Sequence, residues 1–277
     1  MFEVYFQSTK EVTYFCESLF QITNEINVHW ETSKDWGNRL QLNNSSKQLA
    51  ISISKAMVEV FMNFHLTEVV RKLIKDKYYY TDQEEINRIL NLTEEMLLEE
   101  HHDFNILDKE YPKDMLQTLF YTNIRQTPSI HFDSIIQFRL SAFRDKLIQW
   151  IGLAIDDFKR EEDHQAFIHM LREYISNKQA SHDLIHVLQG DSFTFYKTDG
   201  SHLTEKKLKQ LMHKEPLYIV GLDGNEMNLA PLIAIAPNTI KIYGDDPSEP
   251  KTQTIINVFQ EKVKFLPVSD FPFSLQR

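Results

Sequence analysis

The chain has 277 residues, 42% hydrophobic, 25% charged and 12% aromatic, enough to bury one large core or two ordinary ones and too apolar to stay disordered. Its formal net charge of −10 leaves no basic surplus to displace counterions, which disfavours non-specific binding to nucleic acid or to an anionic membrane. Seven Gly and nine Pro argue against a loop-rich or repeat-built β fold, and one cysteine, Cys16, excludes an intramolecular disulfide and a multi-cysteine zinc site.

The opening MFEVYFQSTK has no basic stretch followed by an apolar run, so no secretory leader is expected. Phe2–Phe6 alternates apolar and polar side chains as a short strand, and Ser8 or Thr9 can cap a helix running to about Glu25. Cys16 falls on the apolar side of that helix, as a buried inert thiol would. Val28–Glu31 and Arg39–Leu42 are strands about a turn at Lys34–Asn38. The result is a small β-α-β-β unit whose alternating strands predict one face covered by helices.

Asn43–Ser46 offers caps for a long helix from Lys47 to about Lys75, apolar on nearly all sides and therefore central. His65 within it reads as a hydrogen-bonded core histidine. Thr81 and Glu84 have the spacing of a capping box, which starts the next helix at about Asp82 after a Tyr78–Tyr80 connector. The acidic stretch Glu94–Asp103 holds the pair His101–His102, whose side chains diverge by about 100° on a helix, as at a solvated helix end. Met115 to about Ile124 forms one more helix between Pro112 and Pro128.

Ser129–Ser176 carries the clearest period. Ile136, Leu140, Phe143, Leu147, Trp150 and Ala154 alternate steps of four and three, a narrow stripe on a helix capped by Ser129 or Asp133. A charged break at Lys159–Asp163 separates it from a second helix with Phe167, Ile168, Met170, Leu171 and Ile175 at core spacing.

The texture changes near Asn177–His182, which divides the chain into residues 1–178 and 179–277. Leu184–Leu188 and Phe193–Lys197 flank the turn pair Gly190-Asp191 as a hairpin. Helices follow from about Thr204 to His213 and over Asn225–Ile235, with a short strand at Tyr218–Val220 between them. Strand Thr239–Tyr243, helix Lys251–Gln260 and strand Lys262–Phe265 close the chain as a parallel βαβ pair. The longest apolar segment, Leu229–Pro237, has nine residues and two prolines, too short for a bilayer span of about twenty residues. The fold class is α+β and predominantly helical: the N-terminal β-α-β-β unit, a central helical bundle and a small C-terminal mixed α/β unit.

Chemistry is sparse. His182 and His186 stand four apart, a metal-ligand spacing on a helix, but on a strand they would lie about 13 Å apart. They support one enzymatic alternative, a metal-dependent hydrolase using His and Asp residues of the C-terminal third. No phosphate-cradling glycine loop and no nucleophile elbow occur, so no catalytic residue and no cofactor are assigned. Arg139 and Arg144 are the remaining site residues. Arg139 either pairs with an acidic neighbour such as Glu173 or, like Arg144, lines an anion or partner site.

Several stretches together resemble the YtxC-like family of sporulation-associated proteins from endospore-forming bacteria. They are Tyr78-Tyr79-Tyr80 before Asp82–Ile86, Ile135–Leu140 with Phe143, Phe167–Ile168 with Leu171, His186–Val187, Leu229–Tyr243 and Asn257–Phe265. The resemblance spans nearly the whole chain and rests on order and spacing. It implies a cytoplasmic role during sporulation and brings no established activity. Members of that family often end in a cysteine-containing segment after the last strand; Leu266–Phe273 has no cysteine, so a metal or redox role tied to it does not carry over. The resulting expectation is a non-enzymatic interaction or assembly factor with a protein partner or self-association.

Overall fold

The computed structural model describes residues 2–23, 26–42, 46–98 and 111–273. They divide into two compact units, residues 1–159 and 160–277, and the division falls inside one helix. The sequence-based texture change near Asn177 lies just after that helix ends.

Unit 1 begins with β1 (Phe2–Phe6), α1 (Thr9–Ile22), β2 (Val28–Ser33) and β3 (Gly37–Leu42), the expected β-α-β-β order. The three strands and β4 (Ser129–His131) form a sheet of order β2-β3-β1-β4, antiparallel except for β1 beside β4. Its inner face sends Phe2, Val4, Phe6, Leu40, Leu42 and Ile130 into one apolar cluster with Val12, Phe15 and Leu19 of α1. The other face is polar, as the alternation requires. There Arg39 bonds Glu31, Tyr5 donates to Glu3 at 2.8 Å, and the Tyr5 ring stacks on His131 at 4.4 Å and meets Trp36 edge-on.

The long central helix is two helices, α2 (Lys47–Phe64) and α3 (Leu66–Tyr78), bent by 55° at His65. His65 does what a core histidine should: its Nε2 lies 3.0 Å from Glu11 Oε1, and its ring packs on Phe61 and Phe132. α4 (Gln83–Leu98) starts where expected, but Asp82 caps it in place of Thr81, accepting from the amides of Glu84 and Glu85. Tyr79 holds the left-handed conformation that ends α3. The His101–His102 pair lies outside the described residues. α5 is Pro112–Gln126.

Ser129–Ser176 departs from the expected helix pair in three places. Ser129–His131 is strand, because it pairs in parallel with Glu3–Tyr5 of β1, a ladder that starts where the Glu3 amide donates to the Pro128 carbonyl. α6 (Phe132–Phe138) stops at Arg139, and α7 (Ser141–Ser176) then runs 36 residues without a break at Lys159–Asp163. Those residues are exposed and include no Gly or Pro, so charge marks a stretch of helix with no core to face, not a stop. The core stripe survives these changes. Leu140, Phe143, Leu147, Trp150 and Ala154 are buried in unit 1, and Ile168, Leu171 and Ile175 in unit 2.

One glycine sits inside α7. The Tyr78 hydroxyl donates to the Ile148 carbonyl at 2.6 Å, and a Cβ on Gly152 would come to 3.0 Å from that hydroxyl.

Unit 2 is a second four-stranded sheet of order β6-β5-β7-β8, built from β5 (Leu184–Leu188), β6 (Thr194–Lys197), β7 (Thr239–Tyr243) and β8 (Val263–Leu266). β5 and β6 form the expected hairpin, and β7 and β8 the expected parallel pair about α10 (Pro250–Phe259). α8 is Glu205–Met212. Two expectations fail. Leu217–Val220 is a 3-10 turn and not a strand, closed by Gly221 at φ 70°. Only Ala230–Ile235 of the segment from Asn225 is helix (α9), because the Glu226 carboxylate accepts from the amides of Asn228, Leu229 and Ala230 and fixes its start there. The core face of the sheet carries Ile185, Val187, Phe195, Ile240 and Ile242. On the opposite face His186 and Tyr243 are covered by the rings of Phe271 and Phe273.

Candidate functional site in a groove between α3 and α7

Val69, Lys72, Leu73, Asp76 and Lys77 recur at steps of three, one, three and one, which places them on one face of α3. Ser141, Arg144, Asp145 and Ile148 do the same on the first two turns of α7. The two faces bound a groove of about 370 Å³ within unit 1. Its floor is apolar and half-buried, from Val69, Leu73 and Ile148, while Lys72, Asp76, Lys77 and Asp145 stand exposed on its rim. A volume of this size is in the range of clefts that hold a small ligand or a few side chains of a partner.

Arg144 is half-buried in the wall of the groove. Its Nη2 donates to the Ile136 carbonyl at 3.3 Å, one of the orphan carbonyls left where α6 stops. That long bond anchors one nitrogen of a group with five donors, so the guanidinium keeps donors for a ligand oxygen. With Lys72 and Lys77, three cations and two carboxylates edge the site. The arrangement can bind a carboxylate through Arg144 and apolar side chains along the floor. It offers no nucleophile paired with a base.

The other candidates lie elsewhere. Arg139, exposed at the end of α6, donates from Nη1 to the side-chain oxygen of Asn123, so its partner is a buried amide and not an acidic residue. His186 is buried on β5 with Nδ1 2.9 Å from the Tyr243 hydroxyl; burial, with Lys241 adding to it, holds its pKa below the usual histidine value. His182 precedes β5, with Nδ1 3.1 Å from Ser181 Oγ, and is lowered by burial first and then by Lys197 and Lys207. Among the described residues no three His, Cys, Asp or Glu side chains come together to hold a metal ion. Burial pushes the Cys16 thiol up to about 11, so it is a poor nucleophile.

Of the groove, the sequence singles out only Arg144 as a candidate site residue. The signal for the rest is Val69 and Leu73, two apolar residues four apart among the exposed charges of α3. A face of that kind needs something to cover it.

Residues 51–264 match the family model described as the YtxC-like family, a span that includes every residue of the groove. The chain belongs to that family. Among its YtxC-like relatives is a protein of Bacillus subtilis (strain 168) named Uncharacterized protein YtxC. It is 31% identical over 229 residues, which cover 78% of this chain and 76% of the relative. No solved structure matches the chain.

Proposed function

We propose that this YtxC-like protein is a non-enzymatic interaction or assembly factor that works in the cytoplasm of sporulating cells, and that the α3–α7 groove is where its protein partner docks. The observation that carries this reading is Arg144, half-buried above an apolar floor with a single 3.3 Å hydrogen bond among the described residues. A partner segment with a carboxylate for Arg144 and apolar side chains for Val69, Leu73 and Ile148 meets both halves of the site. An amphipathic helix laid in a groove is a common form of such recognition. The sporulation setting comes from the family resemblance.

A photo-crosslinking residue in place of Asp145, in sporulating cells of a host that carries the protein, tests it. One reproducible crosslinked partner is expected, lost on Arg144→Glu while circular dichroism of the purified variant stays unchanged. Failure to recover a reproducible partner, or a partner indifferent to Arg144→Glu, overturns the reading.

A further inference from the structure

The order β2-β3-β1-β4 leaves β2 at one edge of the unit 1 sheet. An edge strand presents a row of backbone donors and acceptors, and proteins ordinarily blunt it with proline, lysine, a bulge or a very short strand. The opposite edge is blunted in that way, since β4 has three residues. β2 is not. It is six residues long, VHWETS, with no Pro and no Lys, and it pairs with β3 without a bulge from Val28 to Ser33. Among the described residues no backbone hydrogen bond reaches β2 from outside the sheet. Trp30 is 40% exposed there, its indole held by a bond from Nε1 to Asn38 Oδ1 at 3.2 Å.

We propose that β2 pairs with β2 of a second copy of this chain, antiparallel about a two-fold axis at Trp30, joining the two sheets into one of eight strands.

Symmetry narrows the registers. A two-fold between two antiparallel edges must run perpendicular to the sheet, which keeps each face on its own side. Residues directly opposite must therefore share a face, and only registers centred on a residue are allowed. Centring on Glu31 sets that carboxylate against its own copy, and centring on His29 does the same to the imidazole. Centring on Trp30 puts His29 opposite Glu31 twice, once on each side of the axis. It also sets the two indoles against each other and Val28 opposite Thr32. His29 and Glu31 already lie 3.1 Å apart along one strand, with side chains 64% and 39% exposed; Glu31 also bonds Arg39 of β3, and its carboxylate oxygens keep lone pairs for a cross-strand partner. Aromatic and opposite-charge pairs directly across a ladder are the favourable ones. The contact is small, one ladder and five side-chain pairs of three kinds, so the dimer belongs with weak interfaces and forms on the order of micromolar concentrations and above.

Sedimentation velocity of the full chain from about 1 to 300 µM tests this. The expected result is a monomer-to-dimer shift across that range. His29→Glu sets a carboxylate against Glu31 on each side of the axis and should weaken the dimer at least about tenfold. The swap H29E/E31H restores both pairs and should recover it, which separates a pairing effect from damage to the fold. Trp30→Lys should abolish the dimer with far-UV circular dichroism retained. A chain that stays monomeric throughout overturns the proposal, as does a dimer indifferent to His29→Glu. Arg144→Glu should leave the dimer intact; a dimer lost with that change would be built by the groove, and the β2 assignment would be wrong.

Discussion

Lowering the pH from 7.5 to 5.5 should destabilise unit 2 through His186. The ring is 4% exposed on β5, it faces the Tyr243 hydroxyl, and burial depresses its pKa below the model-peptide value of about 6.5. In the unfolded chain the same imidazole takes up a proton as the pH falls through about 6.5. In the folded chain burial holds that uptake back to lower pH. The unfolded state thus binds more protons in that window, and stability falls with the pH by up to about 1.4 kcal/mol per unit for this one group. His182 is shifted the same way and adds to the slope. The carboxylates with lowered values, such as Asp199 and Asp246, work in a separate and more acidic window. The assay is urea unfolding at pH 7.5, 6.5 and 5.5 followed by far-UV circular dichroism and by tryptophan fluorescence. Trp30, Trp36 and Trp150 all lie in unit 1, so fluorescence follows that unit and the ellipticity follows both. The expected result is a pH-dependent loss in the ellipticity transition, reduced in His186→Gln, whose side chain can still bond Tyr243. Equal pH slopes in the parent and in His186→Gln would refute the argument.

Three further outcomes are expected. Tyr79 holds φ 60° with its side chain 81% exposed, so Tyr79→Gly should relieve left-handed strain at almost no packing cost and raise stability by roughly 0.5–1 kcal/mol, read as a higher urea midpoint. In Gly244→Ala the new Cβ would meet the Gln189 side chain, which receives the amides of Asp245 and Asp246 and donates to the Asp246 carbonyl and Thr252 Oγ1; the expected loss is about 2–4 kcal/mol by denaturant unfolding. Phe120 is fully buried and stacked on Phe132, and Phe120→Ala should cost about 3–5 kcal/mol by the same measurement.

Where a sequence pattern depended on which side chains face a core, it was legible. The alternation in Phe2–Phe6, the hairpin about Gly190 and the stripe from Leu140 to Ala154 all report burial, and burial is what hydrophobic spacing encodes. Errors came where a local bond outweighed spacing. Pairing with β1 drew Ser129–His131 into a parallel ladder, Asp82 displaced Thr81 as a cap, and the Glu226 carboxylate postponed α9 until Ala230. The bend at His65 was hidden for another reason: both limbs of the bent helix send apolar residues to the core at helical spacing, so the period continues through it. The groove was half legible. Its basic residues stand out as charges, but a cleft between residues 69–77 and residues 141–148 is a tertiary fact, and no periodicity within α3 names its partner on α7.

Gly152 carries a consequence for anyone who would engineer the protein. Replacing a glycine inside a helix by alanine is ordinarily a reliable way to a sturdier chain, worth about 1 kcal/mol. Here the added methyl would press at 3.0 Å on the Tyr78 hydroxyl, the group that ties the last residue of α3 to the Ile148 carbonyl. Ile148 is also part of the groove floor, so a change made for thermal robustness would loosen the wall against which a partner is proposed to rest. A residue that looks like a blemish in α7 is thus a spacer, and its smallness sets how closely α3 can be held.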